Sequence, residues 1–337
     1  MSLKADVTKR GAVLLGRYVA CDGFDESRPL RVVTHAHSDH LLSLRQSLKQ
    51  CEFVVMTPPT KDLIEVLEGP TIFRKDNVMT LKYEEPFLCD NELLTLCYAD
   101  HILGAAQVLV EDVEGTRILY TSDFRLPRTP TIETDILVME ATYGNPYRIR
   151  SFQEIVEDTL ISLVEKGLKQ GPVYMFSYYG KLQEVMQILH MANVDAPFIV
   201  PEKIFRLSKI CEKYGMIVGE LLPLSGDEQA QSMLSQHEPC VAFYHMSSRQ
   251  HIEKDAFRIY VSGWEFRSPC RQINQNEYTV ALSGHSDFNG LLQYVSECEP
   301  RMVITDNHRV GDAFALAKEI QRRLGIPAMP LPSERNL

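Results

Sequence analysis

One stretch, Thr34-His35-Ala36-His37-Ser38-Asp39-His40, constrains this chain more than any other. Three imidazoles and a carboxylate crowd into six consecutive residues, although all 337 residues include only ten histidines. The stretch follows Leu30-Arg31-Val32-Val33, whose β-branched character and lack of helical spacing predict a buried strand. The cluster therefore falls on the loop leaving a strand. Such a loop can turn His35 and His37 towards one point and Asp39 and His40 towards a second. Neutral imidazole and carboxylate are donors that Zn2+ prefers, and Mn2+ or Fe2+ also occupy mixed N/O sites. A polar turn rich in histidine by coincidence is the alternative, and the crowding argues against it.

The same arrangement recurs along the chain. Leu93-Leu94-Thr95-Leu96-Cys97-Tyr98 reads as a strand that leads to His101, whose strand-end position makes it a third ligand. Arg117-Ile118-Leu119-Tyr120-Thr121 precedes Ser122-Asp123, and Asp135-Ile136-Leu137-Val138-Met139 precedes Glu140. Either acid alone would more often be a loop residue or a helix cap. A carboxylate at each strand end could instead bridge two metals or hold a catalytic group. Tyr278 to Leu282 and Arg301 to Thr305 are two more strands, ending near His285 and near Asp306 and His308. The helix after them is predicted to run to Arg323, with Gly325 as its stop.

Beyond Pro146 the pattern turns helical. Ser151-Phe152-Gln153-Glu154 fits a capping box, and Ile155, Leu160, Leu163, Val164 and Leu168 make an apolar face. Val173 to Phe176 reads as a strand, and Ser177-Tyr178-Tyr179-Gly180-Lys181 opens a helix. Free N–H groups at that turn, with Lys181 beside them, would seat a phosphate; an ordinary strand-to-helix turn is the competing reading. The single tryptophan, Trp264, follows the strand Phe257 to Val261 and stands near Arg267 and Arg271. Aromatic and guanidinium groups can stack on unpaired bases and hold phosphate, as readily as they can form a core with surface arginines. His190, His237, His245 and His251 have no metal-site context.

Composition narrows the setting. The eight scattered cysteines form no Cys-x-x-Cys pair, so they suit reduced thiols better than disulfides or a zinc finger. No run approaches the roughly 18 apolar residues of a membrane span. Gly11 to Gly16 is too short for a signal sequence. We therefore expect a cytoplasmic protein. A net charge of −10 argues mildly against broad polyanion binding, but leaves room for a locally basic groove.

His-x-His-x-Asp-His, a later His in a Leu-Gly-Ala context, Tyr-Thr-Ser-Asp-Phe-Arg, Glu-Ala-Thr-Tyr-Gly and Ser-Gly-His-Ser-Asp resemble the metallo-β-lactamase fold. More narrowly, they resemble its β-CASP nucleases, which include RNase J, Artemis, the endonuclease of eukaryotic mRNA 3′-end processing and ligase-associated DNA exonucleases. The residues alone predict an α/β protein with ligands at strand ends. The resemblance implies a four-layer αβ/βα sandwich from residues 1–147 and 279–337, with an α/β β-CASP insert at 148–278.

It also implies two divalent metal ions, Zn2+ first. His35, His37 and His101 would bind one, and Asp39, His40 and His308 the other, with Asp123 bridging. The third β-CASP motif normally reads Val-His-Gly, and this chain departs from it. His308 is preferred there to Asp306, because Phe314 then opens the next helix at the family's spacing. Asp39 and Glu140 would serve catalysis, with His285, oriented by Glu140, as general acid. Ser177, Tyr178, Gly180, Lys181, Trp264 and Arg267 would bind substrate. The implied activity is hydrolysis of nucleic-acid phosphodiesters, on single-stranded RNA ahead of DNA. A small-molecule hydrolase or a silent binding module is the more distant alternative. A homodimer is one option for assembly.

Overall fold

The computed structural model describes residues 4–253 and 255–334. The chain is a mixed α/β protein with three sheets, and it divides into two compact units. One holds the chain up to Ile149 and again from Gly284; the other is Arg150–Ser283.

The first unit contains two sheets. In the six-stranded sheet the order is Ala5–Val7, Val13–Leu15, Val19–Cys21, Leu30–Val32, Phe53–Met56 and Val78–Thr80. Its last four strands run parallel, which buries Leu30–Val32 completely. The seven-stranded sheet runs Ala328–Leu331, Met302–Asp306, Ile136–Met139, Arg117–Tyr120, Ala106–Glu111, Glu92–Tyr98 and Phe87–Cys89. Strand alternation sends Val32 and Val55 of one sheet, and Ile118, Val138 and Ile304 of the other, into a shared core. Leu119, Leu137 and Val303 point the opposite way, into a second core with the helices Phe288–Cys298 and Ala313–Leu324. Gly325 closes the latter helix in the left-handed conformation, as the sequence predicts.

The second unit is built on one seven-stranded sheet, ordered Leu221–Pro223, Phe198–Val200, Val241–His245, Val173–Ser177, Phe257–Val261, Glu277–Val280 and Cys270–Asn274. Only the edge strand Cys270–Asn274 pairs antiparallel. Glu277–Val280 pairs within this sheet, so the unit ends at Ser283, whereas the sequence sets the return at 279.

The capping box at Ser151 does not start the α-helix. A 3-10 turn occupies Gln153–Ile155, and the α-helix Val156–Leu168 begins behind it without a side-chain cap. Ile155 is accordingly half exposed, outside the apolar face formed by the buried Leu160, Leu163 and Val164. Among the described residues, no helix is long and apolar enough to cross a membrane.

Candidate metal centre

The loop after Leu30–Val32 leaves the sheet, and a buried guanidinium ties it down. Arg31 donates from Nη2 to His40 O and from Nη1 to Leu42 O, both at 2.9 Å, and Nη1 reaches Ser47 Oγ at 3.2 Å. Burial pulls the Arg31 pKa down to about 10, so it remains charged at neutral pH. The histidine loop is thereby anchored to the helix Leu44–Gln50 that follows it.

A second anchor fixes which nitrogen of each ring faces inward. Asp22 is fully buried at the end of Val19–Cys21, with a left-handed φ of 56°. Its Oδ1 accepts the Thr34 N–H at 2.9 Å, and its Oδ2 accepts the Thr34 hydroxyl at 2.8 Å and faces His40 Nδ1 at 2.7 Å. A carboxylate only accepts, so His40 Nδ1 carries the proton. Ser122, also left-handed at φ 54°, donates its hydroxyl to Thr34 Oγ1 at 2.8 Å. Both hydroxyl protons are then committed. His35 Nδ1, 3.1 Å from Thr34 Oγ1 and 3.3 Å from Ser122 Oγ, must therefore be the donor. His101 Nδ1 likewise donates to Gly284 O at 2.8 Å. In all three rings Nε2 turns away from these partners, the outer-shell device that orients metal-binding imidazoles.

The inward atoms converge. His37 Nδ1 lies 3.1 Å from His35 Nε2 and 3.0 Å from His101 Nε2. Asp123 Oδ2 lies 3.7 Å from His35 Nε2, 3.6 Å from His101 Nε2 and 3.3 Å from His40 Nε2. Donors 2.0–2.1 Å from a tetrahedral zinc stand about 3.3 Å apart, so these separations suit one ion. His35, His37, His101 and Asp123 form one group with all ligand atoms within 4.8 Å of one another. His40 Nε2 is buried without a hydrogen-bond partner, an orphan that a cation would satisfy.

Electrostatics agree with that assignment for His35 and His101. Burial, reinforced by His40, His101 and His37, holds the His35 imidazole well below its usual pKa; burial and His285 do the same to His101. Burial opposes charge on His40, but Asp123 and Asp22 outweigh it and push the ring up to about 10, so the metal-free ring is a cation whose Nε2 proton a metal ion would have to displace. Burial also opposes charge on Asp123, yet His40 and His285 hold its carboxyl well below the carboxylate range.

The remaining expected residues fall around this group. Asp39 is exposed, with Oδ2 3.5 Å from His40 Nε2. The His308 ring lies against Gly11, whose φ of +82° and missing Cβ make the space; a Cβ there would come within 2.5 Å of the ring. Asp39 and His308 stand outside both compact ligand groups found among the described residues. Asp306 is committed elsewhere: Oδ1 accepts the His308 N–H at 2.8 Å, and Oδ2 pairs with the buried Arg309 at 2.6 Å. Glu140, Asp123 and His285 form the second group, with His285 Nδ1 3.0 Å from Glu140 Oε2.

In the second unit, Ser177 is buried and donates its hydroxyl to Val261 O at 2.9 Å. Gly180 N–H is taken by Gln183 Oε1 at 2.8 Å, and Lys181 pairs with Glu184. The turn read as a phosphate seat has thus spent its Gly180 donor and its lysine charge inside the chain. Tyr178 and Trp264 are exposed, and Arg267 is an exposed neighbour.

Sequence reasoning missed Asp22, Arg31, Thr34 and Ser122. Asp22 had a signal: Val19-Ala20-Cys21-Asp22 is another acid at a strand end. Arg31 had none, because an arginine inside an apolar run does not say where its guanidinium turns.

No protein-family model matches the chain. A protein of Acidianus ambivalens, described as an uncharacterized protein in lig 3′region, is 41% identical over 140 residues, 41% of this chain and 100% of the relative. The transcription termination factor FttA of Pyrococcus abyssi is 25% identical across 88% of this chain, which spans 59% of that factor's length. An RNase J-like protein of Methanocaldococcus jannaschii is 22% identical, covering 95% of this chain and 92% of the relative. With these similarities beside its histidine–aspartate centre, the chain belongs to the β-CASP family of metallo-β-lactamase-fold nucleases.

Proposed function

We propose that this protein hydrolyses nucleic-acid phosphodiester bonds with two divalent metal ions, zinc first, and that single-stranded RNA is its substrate. The observation that carries this is the convergence of three imidazole nitrogens on the Asp123 carboxylate within 4.8 Å. The likeness to an RNase J-like protein along 92% of that protein supports RNA.

In this reading His35, His37 and His101 would hold one ion and Asp39, His40 and His308 the other, with Asp123 available to both. Two bound cations would supply Lewis acidity, lowering the pKa of water from 15.7 towards about 7 and offsetting the charge that builds on the phosphoryl oxygens. The chain's own residues do the rest. Asp22, Thr34 and Ser122 hold the imidazoles in the tautomer that faces lone pairs inward. Arg31 keeps the histidine loop against its helix. Glu140 accepts from His285 Nδ1 and so directs Nε2 away, where a protonated ring can deliver its proton to the departing 3′ oxygen. Asp39, whose Oδ2 stands 3.5 Å from His40 Nε2, would assist as a ligand of the second ion.

We assign the first unit to a four-layer αβ/βα metallo-β-lactamase domain and the second to the β-CASP insert. The core shared by the two sheets, and the helices packed on the outer face of one, support the layering. The eight cysteines are free thiols, seven of them buried, which suits the reducing cytoplasm.

The test is incubation with labelled single-stranded RNA and DNA of equal sequence, with Mn2+ or Zn2+ and with chelator. RNA should be cleaved faster, and only with metal. Faster cleavage of DNA would reverse the substrate assignment, and inert RNA and DNA would refute the activity.

A further inference from the structure

On the second unit, lined by none of the residues of the metal group, the sheet opens a cavity of about 380 Å³. That size lies within the range of small-ligand pockets. Its apolar wall comes from Tyr260, Trp264 and Ile273, and its cationic wall from Arg249 and Arg271. Alternation along Phe257–Val261 and Cys270–Asn274, which flank Glu277–Val280, turns Tyr260, Arg271 and Ile273 onto one face, and the turn after Phe257–Val261 brings Trp264 to it. Arg267, singled out by the sequence, does not line the cavity.

The polar groups of the wall are not equally available. Glu265 is buried: Oε1 accepts the Phe266 and Arg267 N–H groups at 3.1 and 3.0 Å, and Oε2 takes Arg271 Nε at 2.7 Å. Glu277 takes the Asn274 amide at 2.5 Å and stands 3.7 Å from Arg258. Arg271 spends only Nε on Glu265 and keeps half of its side chain in solvent. Arg249 is exposed, and its guanidinium has no ion-pair partner among the described residues. Trp264 is 49% exposed and lines the cavity beside these cations.

We propose that this cavity binds one unpaired nucleotide of a single strand, with the base stacked on Trp264 and the phosphate held by Arg249 and Arg271. The proposal rests on the nuclease reading and adds a strand-holding site separate from the metal residues. An indole takes any base by its π-face, and planar guanidinium groups match phosphate oxygens. A base inside a duplex has both faces covered by its neighbours, so the pocket selects single strands.

Trp264 is the chain's only tryptophan, so the indole emission comes from a side chain that lines this cavity. The full chain, stripped of metal with EDTA, is titrated with oligoadenylate of about ten nucleotides, with a duplex of the same length and with a polyglutamate peptide. Saturable quenching by the single strand, absent with the other two, is expected. Unchanged emission, or equal quenching by polyglutamate, overturns the proposal. Polarisation of labelled oligoadenylate then compares variants whose melting temperatures match the parent. Trp264→Ala should weaken binding roughly ten- to a hundredfold and Trp264→Phe should largely restore it. Arg249→Gln should weaken it less as salt rises. Parental affinity in Trp264→Ala overturns the site even if quenching occurs. Cleavage of RNA with silent Trp264 emission leaves the nuclease standing and removes this cavity; quenching without cleavage does the reverse.

Discussion

His285 Nδ1 stands 3.0 Å from Glu140 Oε2, and Oε1 of the same carboxylate accepts the Phe124 backbone N–H at 3.0 Å. Glu140 is buried at the end of Ile136–Met139, and this backbone bond fixes its carboxylate. The imidazole is therefore oriented by a strand end, through a group that cannot rotate freely.

That relationship separates proton delivery from metal binding. His285→Ala should leave two metals bound and slow cleavage by about 10²–10⁴, the usual contribution of a general acid. The deficit should shrink on a p-nitrophenyl phosphodiester, whose leaving group needs no proton. Metal content and both rates, measured on the one variant, decide the role. Loss of a metal would make His285 a ligand, and equal slowing on both substrates would remove it as the acid.

Metal stoichiometry follows from the donor set. After reconstitution with excess Zn2+ or Mn2+ and desalting, elemental analysis should approach two equivalents per chain. His101→Ala should lower that number, because its Nε2 stands 3.0 Å from His37 Nδ1 and 3.6 Å from Asp123 Oδ2. A parent protein that stays at zero would end the metal reading.

Asp22 offers a sharper probe of orientation. Asp22→Asn keeps an acceptor for the Thr34 N–H but can turn an amide N–H towards His40 Nδ1. The His40 proton is then driven to Nε2, and the inward lone pair is lost. Calorimetric titration should show metal affinity reduced about 10–100-fold, the usual range for an outer-shell partner. Unchanged affinity would mean that the carboxylate does not set the tautomer.

The departure at the third β-CASP motif becomes a stability question. Asp306→Ala would remove the carboxylate that pairs with Arg309 Nη1 at 2.6 Å, and losing one partner of a buried pair costs about 3–5 kcal/mol. Urea unfolding should register that loss. His308→Ala should instead lower occupancy of the second metal together with activity. If Asp306→Ala keeps its stability and loses metal, Asp306 holds the position.

Much of this arrangement was legible before any coordinates. Histidines and acids recur at strand ends from His35 to His308, and strand periodicity is a local property of consecutive residues. The helix Ala313–Leu324 with Gly325 behind it was equally readable, because its apolar spacing and left-handed stop are local too. The 3-10 turn before Val156 was not, since Ser151 and Glu154 satisfy a local pattern that the chain does not use.

What the sequence by itself determined is that histidines and acids stand at the ends of successive strands. Only the tertiary structure decided how those ends meet. Asp22 and Thr34 lie 12 positions apart, Thr34 and Ser122 lie 88, and Glu140 and His285 lie 145. A hydrogen bond between such partners depends on which strands pair and which cores close, and no local pattern encodes that. The same holds for Lys181 and Trp264. Lys181 reads as part of a phosphate seat or an ordinary turn and Trp264 as a stacking surface or a core residue, yet packing pairs Lys181 with Glu184 and leaves Trp264 half exposed beside two arginines.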